Sequence, residues 1–268
     1  MTQQPIRFDD GAAYERMMGA WSRLVGHVFL DWLSPATGQR WIDVGCGNGA
    51  FTEQLIQRCA PAEARGIDPS EGQLAFARTR PGAAGAVFLP GDAMALPFEA
   101  DRFDAAVMAL VIFFVPDPVK GVGEMTRVVR PGGLVAAYVW DTLGGGDPSE
   151  PIVTEMRAMG LTPVLPPSVH ASRMRALHGL WTDAGLEGIE TRAITVRRSF
   201  DSFDNFWNAS TAMGTTRSRL DLMEADAIAE LKERVRARPP TDRQGRITIG
   251  ACANAIKGHV PIVAVTVK

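Results

Sequence analysis

Trp41-Ile42-Asp43-Val44-Gly45-Cys46-Gly47-Asn48-Gly49-Ala50-Phe51 is the stretch whose reading decides the fold. An apolar strand, Arg40 to Val44, runs into a loop with three glycines and then into a helix spanning Ala50 to Cys59. Such a turn lets the backbone approach a ligand closely, because no Cβ stands in the way. A dinucleotide fingerprint reads G-x-G-x-x-G and sets a pyrophosphate on the helix N-terminus. Here the glycines fall at 45, 47 and 49, so the third comes one residue early. Asp43 stands two residues before the first glycine, where a pyrophosphate would meet a negative charge. An acid there suits a ligand carrying an ammonium group. The motif points to S-adenosylmethionine rather than to a nicotinamide dinucleotide.

Working outward, two more acids repeat the pattern. Strand Ala64 to Asp68 is followed by a helix over Ser70 to Arg80, with Ser70 as the expected N-cap. A short strand, Ala86 to Leu89, leads to Gly91-Asp92. Strand Phe103 to Val111 precedes a helix over Val119 to Val129, and Pro131-Gly132-Gly133 turns into strand Leu134 to Trp140. Short apolar strands alternating with helices predict a parallel sheet covered on both faces. Open sheets of this kind bind ligands at the carboxyl ends of their strands, where Asp43, Asp68 and Asp92 all fall. Asp68 is then placed to accept hydrogen bonds from ribose hydroxyls. Asp92 is placed to accept from an adenine amino group while the Ala93 N–H meets a ring nitrogen. The plainer readings are a helix-capping turn at Asp68-Pro69-Ser70 and a solvated loop acid at Asp92. Asp104 opens its strand, so it belongs to the opposite edge and reads as structural. Cys46 reads as a small filler beside the ligand.

Composition narrows the class. Of 268 residues, 46% are hydrophobic and 22% charged, with a net charge of −2, which suits one globular domain with insertions. That balance recommends neither nucleic acid nor an anionic membrane as a partner. Cys46, Cys59 and Cys252 form no metal-ligand spacing, so no metal is expected, and their odd number fits a reducing cytoplasm. Met1 to Asp10 does not read as a signal peptide, and the longest apolar run, Ala105 to Val115, is too short to span a bilayer. A cytoplasmic protein without membrane insertion is expected.

The rest of the chain frames this core. Apolar spacing predicts an amphipathic helix from Ala12 to Leu33, ended by Ser34-Pro35, as an N-terminal cap within residues 1–39. The core proper covers 40–141. Residues 142–171, Gly- and Pro-rich with a helical pattern from Pro151 to Met159, read as a first insertion. Residues 199–258, with a helix at Ala225 to Arg238, read as a second. Between them fall helix Ser172 to Ala184 and strand Ile189 to Arg197, and Val260 to Val267 reads as the last strand. Insertions of this length suggest a lid over an acceptor site.

The motifs Asp43-Val44-Gly45-Cys46-Gly47-Asn48-Gly49, Gly66-Ile67-Asp68-Pro69-Ser70, Gly91-Asp92-Ala93-Met94-Ala95-Leu96-Pro97-Phe98, Phe103-Asp104 and Arg130-Pro131-Gly132-Gly133 carry a resemblance. Over roughly 40–141 the chain resembles class I S-adenosylmethionine-dependent methyltransferases, of the group that includes the ubiquinone/menaquinone biosynthesis C-methyltransferases. The resemblance implies a Rossmann-like, doubly wound, seven-stranded and mostly parallel sheet with an antiparallel last strand. It implies S-adenosyl-L-methionine as cofactor and S-adenosyl-L-homocysteine as product, held by Asp43, Gly45, Cys46, Gly47, Asn48, Gly49, Asp68, Pro69, Asp92 and Ala93. Backbone from Ala109, Leu110 and Val111 would meet the ammonium, and Tyr14 and Trp21 would cover the methionine end. Trp21 reads equally well as helix core.

The expected activity is methyl transfer to a small organic or lipid-like acceptor. Phe114 is the pocket candidate in Ile112-Phe113-Phe114-Val115, while Ile112 and Val115 read as core. Candidates for a general base are Asp141, which ends a strand on the cofactor side, and His170 in the first insertion. The family often carries histidines after the fourth strand, where this chain has Phe113-Phe114. It also lacks the Asn/Asp-Pro-Pro-aromatic motif of nucleic-acid amino-methyltransferases. The alternatives are a non-catalytic S-adenosylmethionine-binding protein and a nicotinamide-dependent oxidoreductase.

Overall fold

A computed structural model describes residues 12, 15–212, 214–238 and 242–262. Five strands pair in parallel in the order β3-β2-β1-β4-β5: β1 (Arg40–Val44), β2 (Glu63–Asp68), β3 (Ala86–Pro90), β4 (Phe103–Ala109) and β5 (Val129–Trp140). Strand β7 (Ile247–His259) runs antiparallel to β5, and β6 (Glu187–Phe200) closes the seven-stranded sheet antiparallel to β7. The middles of β4 and β5 are apolar because both faces are covered. Ala105 to Met108 and Val135 to Val139 are fully buried. Strand order reverses between β1 and β4, and a crevice opens outside the carboxyl ends at such a switch point. Helix α1 (Ala20–Leu33) packs on α2 (Ala50–Cys59), and α3 (Glu71–Ala77) follows β2. Helix α4 (Pro118–Val128) packs on α6 (Met174–Asp183).

The first helix shows how sequence sets position. Trp21, Val25, Phe29 and Leu33 recur at four-residue spacing and are all buried. Phe29 lies 4.7 Å from the Tyr138 ring, which locks α1 onto β5. The helix stops at Ser34, in a left-handed conformation just before Pro35, and a single π-helical turn, Glu15–Gly19, precedes it. Residues 13 and 14 lie outside the described residues.

At the amino end of the strands Asp104 gathers β1 and β5. It accepts from the Arg40 backbone N–H at 2.7 Å, from the Arg40 guanidinium at 3.2 Å, and from Arg130 Nε at 2.6 Å. Those arginines hold its carboxyl well below the ordinary carboxylate range. The expectation that Asp104 is structural agrees with this placement.

The last strand is not where the sequence reading put it. It spans Ile247–His259, inside the stretch 199–258 expected as an insertion, while Val260 to Ile262 lie beyond the strand and residues 263–268 fall outside the described residues. The physical reason is tertiary. β7 lies between β5 and β6, so small residues are favoured there: Ala253 and Ala255 are fully buried, and a Cβ on Gly258 would sit 3.0 Å from the Trp181 indole. An alanine- and glycine-rich run has weak intrinsic strand preference, and packing overrides it. The inserted part of 199–258 consists of α7 (Phe203–Ser210), α8 (Gly214–Leu220) and α9 (Ala225–Arg236). Helix α9 packs on α5 (Glu150–Ala158) of the first inserted stretch, and Arg238 pairs with Glu155. No helix among the described residues is long and apolar enough to cross a membrane.

Candidate functional site

The glycine loop sits between β1 and α2 and is clamped to β2. Gly45 N–H and Cys46 N–H both donate to the Ile67 carbonyl, at 2.7 and 3.0 Å. Gly45 has φ +75°, and a Cβ there would lie 2.4 Å from Val111 Cγ1, so the loop presses directly against the segment after β4. Gly47 differs. Its φ is +52°, yet a Cβ would have no neighbour nearer than Gln73 Oε1 at 4.0 Å, so space is open over its backbone. Asn48 Oδ1 accepts from the Ala50 N–H at 3.2 Å, satisfying a donor at the start of α2. Asn48 is also tied to Glu15, and Arg80 reaches both Glu15 and the Asn48 carbonyl.

Asp68 organises the loop from the end of β2. Its Oδ2 accepts from Gly47 N–H and its Oδ1 from Ser70 N–H, both at 2.9 Å. The capping reading therefore holds together with the loop-holding one. The Ser70 hydroxyl accepts from Gln73 N–H at 3.4 Å, as an N-cap should. Burial pushes the Asp68 carboxyl upward, and the two backbone N–H groups pull it partly back. Asp43 is buried more deeply, at 2% exposure. Its Oδ2 accepts from the Thr52 hydroxyl at 2.6 Å, while its Oδ1 is buried with no hydrogen-bond partner among the described residues. Burial raises the Asp43 carboxyl to about 7; Thr52 opposes the rise and the nearby Asp68 charge adds to it.

One buried and one half-buried acid, the first with an orphaned oxygen and neither in an ion pair among the described residues, make a site that a cation would complete. A bound amine fits and a pyrophosphate does not. Cys46 is buried, and burial lifts its thiol well above the usual range, so it fills space rather than attacks.

Across the crevice, Ala109 ends β4 and Leu110 takes φ +64°, a left-handed conformation that costs a non-glycine residue on the order of 1 kcal/mol. Its N–H donates to the Tyr138 carbonyl at 2.8 Å. Leu110 lines an open cleft. Met18, Phe113, Phe114 and Trp140 give it apolar walls, and the first inserted stretch adds Asp147, Ser149, Glu150 and Arg157. Gly214, Thr215 and Thr216 line it from α8. The Trp140 indole N–H is buried without a partner among the described residues.

Residues 42–137 match the family described as methyltransferase domain. That stretch, the glycine loop and the strands around it, is thus similar to a methyltransferase domain. A ubiquinone/menaquinone biosynthesis C-methyltransferase from Roseobacter denitrificans is 36% identical over 125 residues, 45% of this chain and 50% of that protein. A demethylmenaquinone methyltransferase from Staphylococcus aureus is 35% identical over 131 residues, 48% of this chain and 52% of that protein. The chain thus aligns with about half the length of the curated relatives it matches. Among solved structures, the YcgJ protein from Bacillus subtilis superposes with TM-score 0.61 at 17% identity, covering 89% of this chain and 98% of that one. Phosphoethanolamine N-methyltransferase 2 from Haemonchus contortus, solved with S-adenosyl-L-methionine, gives 0.57 at 19% identity, covering 94% and 56%. The fold is shared with these proteins.

The carboxyl edge of the sheet gathers most of the residues expected to form a cofactor shell. Asp43, Gly45, Cys46, Gly47, Asn48, Gly49, Asp68 and Pro69 converge at the ends of β1 and β2, with Val111 packed against Gly45. Asp92 follows β3 in a tight turn, its Oδ1 accepting from Met94 N–H at 2.8 Å, and Ala93 sits beside it. Tyr14 lies outside the described residues. Trp21 is 2% exposed and meets Trp140 edge to face at 6.2 Å, so it is core behind the cleft wall rather than part of its lining. Phe114 does line the cleft, while Ile112 and Val115 are buried core. The proposed bases fare less well. Asp141 directly follows β5, its side chain tucked against Gly144, and His170 is exposed on a short 3₁₀ turn; neither lines the cleft.

Sequence reasoning missed four residues. Thr52 is the hydroxyl partner of Asp43, in the first turn of α2 and visible only once α2 is placed. Glu15 and Arg80 meet across the glycine loop from segments 65 residues apart. Asp147 lay in a Gly- and Pro-rich stretch with no pattern to mark it.

Proposed function

We propose that this chain transfers a methyl group from S-adenosyl-L-methionine to a small, lipid-like aromatic acceptor bound in the cleft beyond β4 and β5. The observation that carries this reading is the continuity of the two sites. Leu110 follows the strand end beside the glycine loop and also lines the apolar cleft, so a ligand on the loop and a ligand in the cleft meet at that residue. The bound cofactor supplies an electrophilic methyl on a sulfonium. The chain supplies position: Asp68 and the Gly47 backbone fix one end, Asp43 the ammonium, and Leu110 the approach of the acceptor.

Met18, Phe113, Phe114 and Trp140 exclude water and suit a flat hydrophobic ring. Relatives support the acceptor class. Besides the quinone-pathway enzymes above, a 2-methyl-6-phytyl-1,4-hydroquinone methyltransferase from Oryza sativa is 40% identical over 95 residues, 35% of this chain. Both inserted stretches contribute to the cleft, which supports their reading as a lid over the acceptor in one methyltransferase unit. Free Cys46, Cys59 and Cys252 support a reducing, cytoplasmic setting.

The test is transfer of labelled methyl from S-adenosyl-L-methionine to 1,4-naphthohydroquinone, kept reduced, against spermidine and single-stranded DNA as controls. Label on the hydroquinone alone is expected. Label on DNA or on neither ring nor control sinks the acceptor assignment.

A further inference from the structure

The geometry points to Asp147 as the proton acceptor of the cleft, taking the hydroxyl proton of a phenol or hydroquinone bound against Phe113 and Phe114. This builds on the reading above that the cleft holds the acceptor. Asp147 lies between the turn Thr142–Gly144 and helix α5, and it lines the same cleft as Leu110 and Phe114.

Its loop is held rather than free. Gly146 N–H donates to the Asp141 carbonyl at 2.8 Å, and Cys252 N–H donates to the Gly146 carbonyl at 2.9 Å, which fastens the loop flush to β7. A Cβ at Gly146 would lie 2.6 Å from the Cys252 carbonyl oxygen, so only glycine permits that approach. The Ser149 N–H donates to Asp147 Oδ1 at 2.8 Å and fixes the carboxyl plane. Positioning of this kind is what a proton-transfer group needs.

The other charged groups of the cleft are committed elsewhere. Glu150 Oε1 accepts from Arg157 at 2.8 Å and from the Thr154 hydroxyl at 2.9 Å. From α8 only Gly214, Thr215 and Thr216 face the cleft, and from β7 the neighbour is Cys252. No histidine lines it, and no cation pairs with Asp147 among the described residues. Burial and the Glu150 carboxylate push the Asp147 carboxyl upward against the Ser149 bonds, the direction that favours taking up a proton.

The step balances as follows. The acceptor O–H bond breaks, its proton passes to an Asp147 oxygen, and its electron pair stays on the acceptor oxygen and feeds the ring. The ring carbon bonds to the methyl as the carbon–sulfur bond breaks, with that pair left on sulfur. The ring then loses its own C–H proton as the hydroxyl is restored, so one proton reaches water per methyl transferred.

The test compares the full-length chain with Asp147→Asn and Asp147→Glu. S-adenosylhomocysteine binding by calorimetry should stay within threefold in both, showing that the fold and the cofactor site survive. Transfer to 1,4-naphthohydroquinone should fall at least 100-fold in kcat for Asp147→Asn, with little change in KM. The wild-type decline of kcat/KM toward acid pH should vanish in Asp147→Asn and persist in Asp147→Glu. A second readout needs no turnover: the carboxyl ¹³C resonance lost in Asp147→Asn should titrate above the ordinary aspartate range. It should also shift when the hydroquinone is added to the S-adenosylhomocysteine complex. An unchanged resonance at 1 mM hydroquinone overturns the proposal, as does Asp147→Asn activity within threefold of wild type. A shifted resonance without methyl transfer leaves Asp147 in place and sinks the function reading instead.

Discussion

The cofactor end and the acceptor end of this crevice are built on different plans. At the proposed cofactor end most contributors come from a strand terminus or the turn after it, braced by Thr52, Glu15 and Arg80, and backbone N–H groups do much of the holding: Gly47 and Ser70 on Asp68, Gly45 and Cys46 on the Ile67 carbonyl. At the proposed acceptor end the walls come from five separate places in the chain: the π-turn before α1, the segment after β4, the end of β5, the first inserted stretch and α8. The first plan is local in sequence and ties the ligand to the sheet. The second is assembled by packing, so it can change its lining while the sheet stays fixed. The difference teaches why the cofactor of such a chain is easier to read than its acceptor.

Substitutions can break this contrast. The largest effect is expected from Asp68→Ala, which removes both the ribose acceptor and the anchor of Gly47 N–H. Loss of charge-assisted hydrogen bonds at a buried site weakens S-adenosylhomocysteine about 100-fold or more by calorimetry. Affinity within threefold of wild type would remove Asp68 from the site.

Asp43 gives a pH-dependent effect of about tenfold. Its carboxyl stands at about 7 in the ligand-free fold, above its unfolded value of about 3.9. The folded state therefore binds the proton more tightly. The stability this confers is fully present below about pH 4 and is lost as pH rises to about 7. Urea unfolding of the ligand-free chain should show that slope, and Asp43→Asn should flatten it. A ligand ammonium favours the ionised form, so S-adenosylhomocysteine should bind more tightly as pH rises from 5.5 to 7.5 in wild type, with weaker and pH-independent binding in Asp43→Asn. An affinity that does not vary with pH in wild type breaks the assignment of the ammonium to Asp43.

Phe114→Ala sharpens the comparison from the other end. It should raise the acceptor KM by about three- to tenfold, through lost apolar contact, and leave cofactor affinity unchanged. A matching loss of cofactor affinity would show that the two ends are one site rather than two. The smallest effect on binding is expected from Asp104→Asn, at the opposite edge of the sheet. It should leave S-adenosylhomocysteine affinity unchanged while costing about 1–2 kcal/mol of stability at pH 7, seen as a lower Tm. Because the Asp104 carboxyl is depressed in the fold, its contribution is present above the unfolded value of about 3.9 and lost as pH falls below it.

The same division governs what the sequence could reveal. Asp43, Asp68 and Asp92 could be placed from the chain because each lies at or just past the carboxyl end of a strand, so position in the sheet followed from position in the sequence. Strand β7 was misplaced because its alanines answer to the Trp181 and β5–β6 environment rather than to any strand preference of their own. Helices α7 and α8 were missed for a related reason. Gly214-Thr215-Thr216-Arg217-Ser218-Arg219-Leu220 contains few strong helix formers, and its buried Thr216 and Leu220 are what commit it. Asp147 had no signal at all. Its meaning comes from Gly146 lying against Cys252, a contact between residues over 100 positions apart.

The central claim is that the G-x-G-x-G loop, with Asp43 and Asp68, takes an S-adenosyl amino acid and not a dinucleotide. Calorimetric titration with S-adenosylhomocysteine, and with NADH in parallel, tests it most directly. The account predicts binding at about micromolar Kd or tighter for the first, roughly −8 kcal/mol, and no measurable heat for the second. NADH binding with no response to S-adenosylhomocysteine would contradict it.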